Sequence, residues 1–454
     1  MQIDKKMVWV VVLLALVTVA ISTGLVEGLT HLDHAKAICL GIFFLAAVLW
    51  VTEWLPSYQT SLIILFLQIS WLVPAINPKA GAAARQEYLS AFFCDITLLF
   101  MGGFVLAAAL QKYGLDNRIA ARLLKKTGTK PSRVLLGIMI VSALLSMWMS
   151  NTATAAMMLA IILPILRKIP EKNSFAKGLI LSIPFACNLG GLGTPIGTPP
   201  NAIAMSYLVE KGLAISFSGW MMAAVPLMVL FIISTWLLLL KMYPPGSLEI
   251  SLPTTQEGSL APSHWFVMGV FALTILGWCT TGYHGLSLGT VSLLPVFLIF
   301  GPGLLNTQDF KQLPWDVLFM MGGGICLGVG LKESGLAGEA VKMIPAELDF
   351  FWVLLAFALL AGVMTTFMSN TATANLLIPI AISLPGNISF MTMTIAMVCS
   401  TAMALPISTP PNAIAFGSGL LTARDMIRPG LIITVFSLLA ILAVGELYWP
   451  LLGL

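Results

Sequence analysis

The chain has 454 residues, of which 58% are hydrophobic and only 9% charged, against about 25% charge in ordinary soluble domains. That balance excludes a water-soluble globular fold, and a formal net charge of +4 gives nucleic-acid binding nothing to stand on. At roughly 20 apolar residues per crossing the length leaves room for roughly a dozen spans, so an all-α integral membrane protein with no appended soluble catalytic module is expected.

The chain begins with Lys5 and Lys6 ahead of an apolar run from 7 to 23. Ser22-Thr23-Gly24 is a poor cleavage site, so this run is read as an uncleaved first helix in an N-terminal segment, 1–35. Further apolar runs follow at 36–54, 57–76, 93–111, 177–209, 219–242, 264–283, 286–306, 315–331, 389–418 and 427–447. Together with the first they make eleven candidate transmembrane helices. Two more regions, 134–167 and 350–384, are apolar on both sides of a polar island, with halves too short to be full spans. Basic residues flank the first of these on both sides, Lys125, Lys126, Lys130 and Arg133 before it and Arg167, Lys168, Lys172 and Lys177 after it. Both loops should then lie in the cytoplasm. An element that leaves and returns to one side is a re-entrant hairpin, whose non-helical tip is tolerated only within protein or beside a watery cavity. This topology puts the amino terminus inside and the carboxyl terminus outside.

The two islands are Met149-Ser150-Asn151-Thr152-Ala153-Thr154 and Met368-Ser369-Asn370-Thr371-Ala372-Thr373. Each is followed by a second polar break, Thr198-Pro199-Pro200-Asn201 and Thr409-Pro410-Pro411-Asn412. The repeat is wider than the motifs, because Asp95-Ile96-Thr97-Leu98-Leu99-Phe100-Met101-Gly102-Gly103 aligns with Asp316-Val317-Leu318-Phe319-Met320-Met321-Gly322-Gly323 at nearly the same offset. The chain therefore divides into a first repeat, 36–243, with hairpin 134–167 and broken helix 177–209, and a second, 263–454, with hairpin 350–384 and broken helix 389–418. The Pro/Gly/Ser-rich stretch 244–262 reads as a cytoplasmic linker. Each repeat holds an odd number of full spans, so the second enters the membrane inverted, an arrangement with discontinuous helices that is used by secondary transporters.

The chemistry of these islands suits ions. Paired prolines remove amide donors and interrupt the helix, freeing carbonyls. Ser146, Ser150, Asn151 and Gly197 in one half form an oxygen cage for an alkali cation, with Thr365, the Met368 main chain, Asn370 and Ser408 as counterparts in the other; hard cations take oxygen ligands. Half-helix amino termini attract anions, and Asn151, Thr152, Asn370 and Thr371 can donate to carboxylate oxygens. No Lys, Arg, Asp, Glu or His lies between Val134 and Leu166 or between Phe351 and Ala423. A bound dianion would then be balanced by co-bound cations and helix dipoles rather than by a basic side chain. A proton-coupled carrier would place an ionisable group at membrane depth. An intramembrane enzyme would need a nucleophile with a base, and none stands near Ser150 or Ser369, so no enzymatic activity is expected. The six cysteines, Cys39, Cys94, Cys187, Cys279, Cys326 and Cys399, show no metal-site spacing and read as small apolar packing residues.

At these residues the sequence resembles the divalent anion/sodium symporter family, which includes the bacterial dicarboxylate transporters of the INDY type. The resemblance covers nearly the whole chain. It implies one sodium ion held by Ser146, Ser150, Asn151 and Gly197, and a second by Thr365, Met368, Asn370 and Ser408. It also implies a substrate touched by Asn151, Thr152, Thr198, Pro199, Asn370, Thr371, Thr409 and Pro410. Sodium-coupled symport of a C4-dicarboxylate such as succinate, malate or fumarate across a bacterial inner membrane is the expectation, with Na+ as the co-transported ion and no organic cofactor. A sodium-independent exchanger and a sulfate or citrate carrier of the same family are the alternatives. The family's fold further implies a homodimer and elevator-type motion.

Overall fold

A computed structural model describes residues 5–22, 24–79, 81–170, 173–246, 248, 250, 259–345 and 347–454. Residues 251–258 of the expected linker lie outside the described residues, as do the side chains of Lys5 and Lys6. Every regular element among the described residues is helical. Local chemistry accounts for many of the ends. Ser216 and Ser287 cap the helices Phe217–Met242 and Leu288–Phe300 by accepting from the Gly219 and Thr290 amides. Pro131 and Pro262 open the helices Pro131–Ser146 and Pro262–Cys279, where a missing amide costs nothing.

Nine helices among the described residues are long and apolar enough to cross a membrane, which makes this a multi-pass membrane protein. Eleven were expected, and the difference is local. The run 286–306 yields only Leu288–Phe300, because the chain turns at Gly301-Pro302-Gly303, where Gly303 has a φ of 76°. The run 389–418 breaks after Ile388–Thr401 and resumes only at Pro410–Gly417. The first run contributes the short apolar stretch Val12–Ile21. Conversely, the first arm of the second hairpin, Phe350–Phe367, is a full 18 residues and counts among the nine.

The chain packs as two compact units, each drawing on both sequence halves. The first comprises Met1–Thr97, Ile203–Ala214 and Pro314–Ala396, the second Leu98–Ala202, Ile215–Leu313 and Met397–Leu454. In the first unit the glycine-rich helix Trp315–Glu333 is the buried centre, packed by Ser57–Leu67 and by Asn370–Ala381. Its small residues admit side chains from their neighbours: a Cβ on Gly324 would collide with the Asn375 amide, and one on Gly328 with the Tyr207 phenol, whose hydroxyl donates to the Gly324 carbonyl at 3.0 Å. Such close approach is how helices associate where lipid is as apolar as the side chains. The expected apolar role of Cys326 needs one refinement. Its thiol donates to Oε1 of the fully buried Gln68 at 2.7 Å, beside a π-helical turn, Gln68–Leu72.

In the second unit the helix Phe175–Gly190 is buried along almost its whole length. Pro131–Ser146, Asn151–Leu166, Phe217–Met242 and Pro410–Gly417 surround it. Some of the charged side chains pair near helix ends, Lys112 with Asp309 at 2.6 Å and Lys177 with Asp425 at 2.9 Å in this unit, Lys36 with Glu339 at 2.8 Å in the other.

Candidate functional site

Each polar island forms the tip of a helical hairpin whose two arms pack together. In the second unit Pro131–Ser146 ends, four residues turn, and Asn151–Leu166 begins. Ser150 is the cap of the new helix, in extended backbone, and its hydroxyl accepts from the Ala153 amide at 3.1 Å. In the first unit Phe350–Phe367 ends and Asn370–Ala381 begins, with Ser369 accepting from Ala372 at 3.2 Å. The serine of Ser-Asn-Thr is thus what starts each helix, which leaves the next residue, asparagine, on the first turn.

A second contact recurs within each hairpin. The Ser146 hydroxyl, on the last turn of the incoming arm, donates to Oδ1 of Asn151 five residues on. The Thr365 hydroxyl donates to Oδ1 of Asn370 at 2.6 Å, again five residues on. A hydroxyl oxygen and an amide oxygen are thereby held together at each tip, both free of formal charge. At the first tip the backbone of the following break joins them: a Cβ on Gly191 would lie 3.0 Å from Oδ1 of Asn151 and 3.1 Å from the Gly197 carbonyl oxygen. Ser146, Asn151 and Gly197 therefore converge within one unit, with Ser150 adjacent. At the second tip Thr365 and Asn370 are brought together, and Met368 has left helical geometry at φ −133° and ψ 172°, so its carbonyl is outside the helical ladder. Ser408, Thr409 and Pro410 belong to the other unit. There the Ser408 hydroxyl accepts from the Leu405 amide at 3.2 Å, and Thr409 is the cap of Pro410–Gly417. Thr152 is exposed and Thr371 buried, while Thr198 is buried beside Pro199, which opens the helix Pro199–Glu210.

Sequence reasoning left the asparagine of each Thr-Pro-Pro-Asn motif without a role, and the structure supplies one. Nδ2 of Asn201 donates to the carbonyls of Gly191 at 3.0 Å, Leu192 at 3.4 Å and Thr194 at 2.8 Å. Nδ2 of Asn412 donates to those of Met403 at 3.1 Å and Leu405 at 2.9 Å. These are carbonyls that the helix break deprives of their amide partners, and a buried unpaired carbonyl is costly. The signal was available, since a proline pair strips donors and an NH2-bearing side chain close by can replace them; Trp220 Nε1 adds a further donor to the Leu192 carbonyl at 3.1 Å. The Thr194 hydroxyl adds a tie to the Met147 carbonyl, fastening the break to the first hairpin. Asn188, a lone amide in the buried helix Phe175–Gly190, was also missed.

Comparisons with known proteins give the family. A family model described as the sodium:sulfate symporter transmembrane region matches residues 5–454. The sodium-dependent dicarboxylate transporter SdcS of Staphylococcus saprophyticus is 33% identical over 464 residues, covering 91% of this chain and 87% of SdcS. Its Staphylococcus aureus (strain USA300) counterpart is 31% identical, covering 90% and 86%. An uncharacterized transporter of Schizosaccharomyces pombe is also 31% identical, over 90% of this chain, which spans about half (49%) of its length. Among solved structures, the YdaH transporter of Alcanivorax borkumensis superposes with a TM-score of 0.58 at 12% identity, covering 87% of this chain and 99% of YdaH, and MtrF of Neisseria gonorrhoeae with 0.54 at 11%, covering 88% and 96%. At such identity they speak for the fold alone. With a family model matched from residue 5 to the last residue and duplicated Ser-Asn-Thr tips built alike, the chain belongs to the sodium:sulfate symporter family.

Proposed function

We propose that this protein is a sodium-coupled importer of C4-dicarboxylates in a bacterial inner membrane, built from two inverted repeats, 36–243 and 263–454, and working as a homodimer by an elevator motion. The observation that carries the reading is the twofold hydroxyl–asparagine pair, Ser146 with Asn151 and Thr365 with Asn370. Two neutral oxygen clusters of the same make suit two alkali cations. One cation would take oxygens from Ser146, Ser150, Asn151 and Gly197, the other from Thr365, Met368, Asn370 and Ser408. The substrate would lie against Asn151, Thr152, Thr198, Pro199, Asn370, Thr371, Thr409 and Pro410, where helix starts supply partial positive charge. The dicarboxylate assignment is supported by SdcS, whose name states sodium dependence and that substrate class.

Proteoliposomes loaded without sodium should accumulate labelled succinate above equilibrium when an inward sodium gradient is imposed, and not when potassium or choline replaces it. Equal uptake with all three ions would refute the coupling, and block by excess sulfate but not by fumarate would refute the substrate class.

A pH dependence follows from the same composition. Between Val134 and Leu166 and between Phe351 and Ala423 no side chain changes charge between pH 5 and 8. The rate should therefore follow the fraction of fully ionised substrate, flat above neutrality and falling as the second carboxyl takes up its proton. Replacing succinate by a dicarboxylate with a lower second pKa should move the fall to lower pH by the same interval. A fall at one fixed pH for both substrates would mean that a protein group titrates instead.

A further inference from the structure

The two Thr-Pro-Pro-Asn breaks are alike in sequence but not in their hydrogen bonding. Asn188, 1% exposed on the helix Phe175–Gly190, reaches the second break, with Nδ2 3.1 Å from Oγ1 of Thr409 and 3.2 Å from Oδ1 of Asn412. Residues 188, 409 and 412 lie in one unit. The direction of these bonds is fixed by the neighbours rather than by convention. Asn412 must turn its NH2 to the Met403 and Leu405 carbonyls, which can only accept, so its oxygen faces Asn188. Asn188 must then present its own NH2, whose two hydrogens serve Asn412 and Thr409.

Oγ1 of Thr409 also accepts from the Asn412 backbone amide at 3.3 Å. A hydroxyl oxygen has two lone pairs and one hydrogen. Both lone pairs of Thr409 are taken, so its hydrogen is left to donate elsewhere. In the first break the arrangement is missing. Cys399 stands as far before Asn412 as Asn188 does before Asn201, and it carries no NH2 group. Oδ1 of Asn201, a residue at 0% exposure, has no hydrogen-bond partner among the described residues.

We propose that Asn188 is a positioning residue that commits the Thr409 hydroxyl to donate to an anionic oxygen of the substrate, so that Thr409, and not Thr198, is the oriented donor for one carboxylate. This rests on the reading of the protein as an anion carrier and adds a polarity to its site. A hydroxyl free to rotate serves cation and anion alike. One with saturated lone pairs discriminates for the anion.

The test is sodium-driven succinate uptake by full-length protein in proteoliposomes, with melting temperatures measured in sodium alone and in sodium plus succinate. Asn188→Asp turns the contact round, because a carboxylate would accept the Thr409 proton. It should raise KM for succinate by about tenfold or more, the size of a lost hydrogen bond to a charged group, and remove the succinate-induced rise in melting temperature while leaving the sodium-induced rise. Asn188→Ala should raise KM less, since the hydroxyl is released rather than captured. Thr409→Val, close in shape but without the hydroxyl, should reproduce the loss, and Asn188→Ala should add nothing on top of it. Thr409→Ser, which keeps the hydroxyl, should recover a lower KM than Thr409→Val, and this pair reports on the donor even where the Asn188 variants fail to fold. Wild-type KM in Asn188→Asp or Thr409→Val, or independent multiplication of the Asn188→Ala and Thr409→Val effects, would overturn the proposal. Wild-type protein that ignores succinate but is stabilised by sulfate would defeat the dicarboxylate reading alone, and the same variants would then be scored on sulfate. Indifference to every divalent anion would defeat both.

Discussion

Replacing either Asn151 or Asn370 by alanine should abolish sodium-driven uptake, a fall of about 100-fold or more in kcat/KM, while the protein stays folded and monodisperse in detergent. Each substitution removes the amide oxygen that receives the Ser146 or Thr365 hydroxyl and with it one proposed oxygen ligand. The residual serine or threonine is fully buried and loses this acceptor, so the hydroxyl–amide oxygen pair no longer exists at that tip. Loss of groups that orient ligands typically costs 10–100-fold in metal affinity, and here a ligand and its orienting partner go together. The aspartate variants separate the two ligands. Asn151→Asp keeps both oxygens and adds negative charge, so sodium should still raise the melting temperature while succinate no longer does. Sodium dependence and rate at wild-type levels in either alanine variant would remove the hairpin tips from the site.

Gly190→Ala should be among the most damaging single methyl groups in the second unit. A Cβ there would stand 2.5 Å from both the Cα and the carbonyl oxygen of Ala143. Those are backbone atoms of the first arm of the hairpin and cannot step aside as a flexible side chain would. Overpacking a close-fitted interior costs about 1–3 kcal/mol, and the absence of a yielding neighbour puts this site at the upper end. The melting temperature in detergent should drop by several degrees. Because Ala143 lies in the arm that presents Ser146, surviving protein should also show weakened sodium activation. Gly269→Ala is the control: nothing lies within 4 Å of its Cβ position, and exchanging glycine for alanine in a helix is otherwise mildly favourable. Equal behaviour of the two variants would show that the close contact at Gly190 is relaxed in solution.

The hairpins and their tips were legible because they violate the composition around them. Ser-Asn-Thr keeps an apolar arm neutral while capping the next helix, and Ser150 and Ser369 do cap in the structure. The breaks at Thr-Pro-Pro-Asn were legible for the same reason, since two adjacent prolines strip two successive amide donors from the backbone, whereas single prolines such as Pro184 and Pro226 are carried inside their helices. Counting spans from hydropathy was less successful. It treats 389–418 as one run, although donors are missing in its middle, and it is blind to Gly301-Pro302-Gly303 cutting 286–306 short. Asn201 and Asn412 were visible as letters but not as clamps, because the carbonyls they serve lie seven to ten residues earlier and only folding back brings them near. Asn188 was not legible at all. Its partners are 221 and 224 residues away, in a break that looks complete by itself.

Taken by itself, the sequence determined that the chain lives in a membrane, that it carries two copies of a charge-free polar hairpin tip, and that the helix after each tip starts on a capping serine. Each of these follows from composition or from bonds within a few residues. Only the tertiary structure decided which helices share a core, as in the two units that each mix both halves of the chain, and which of two equal-looking threonines has its lone pairs filled. Those outcomes depend on which distant donor meets which acceptor, and a hydrogen bond has direction only once both partners are in place.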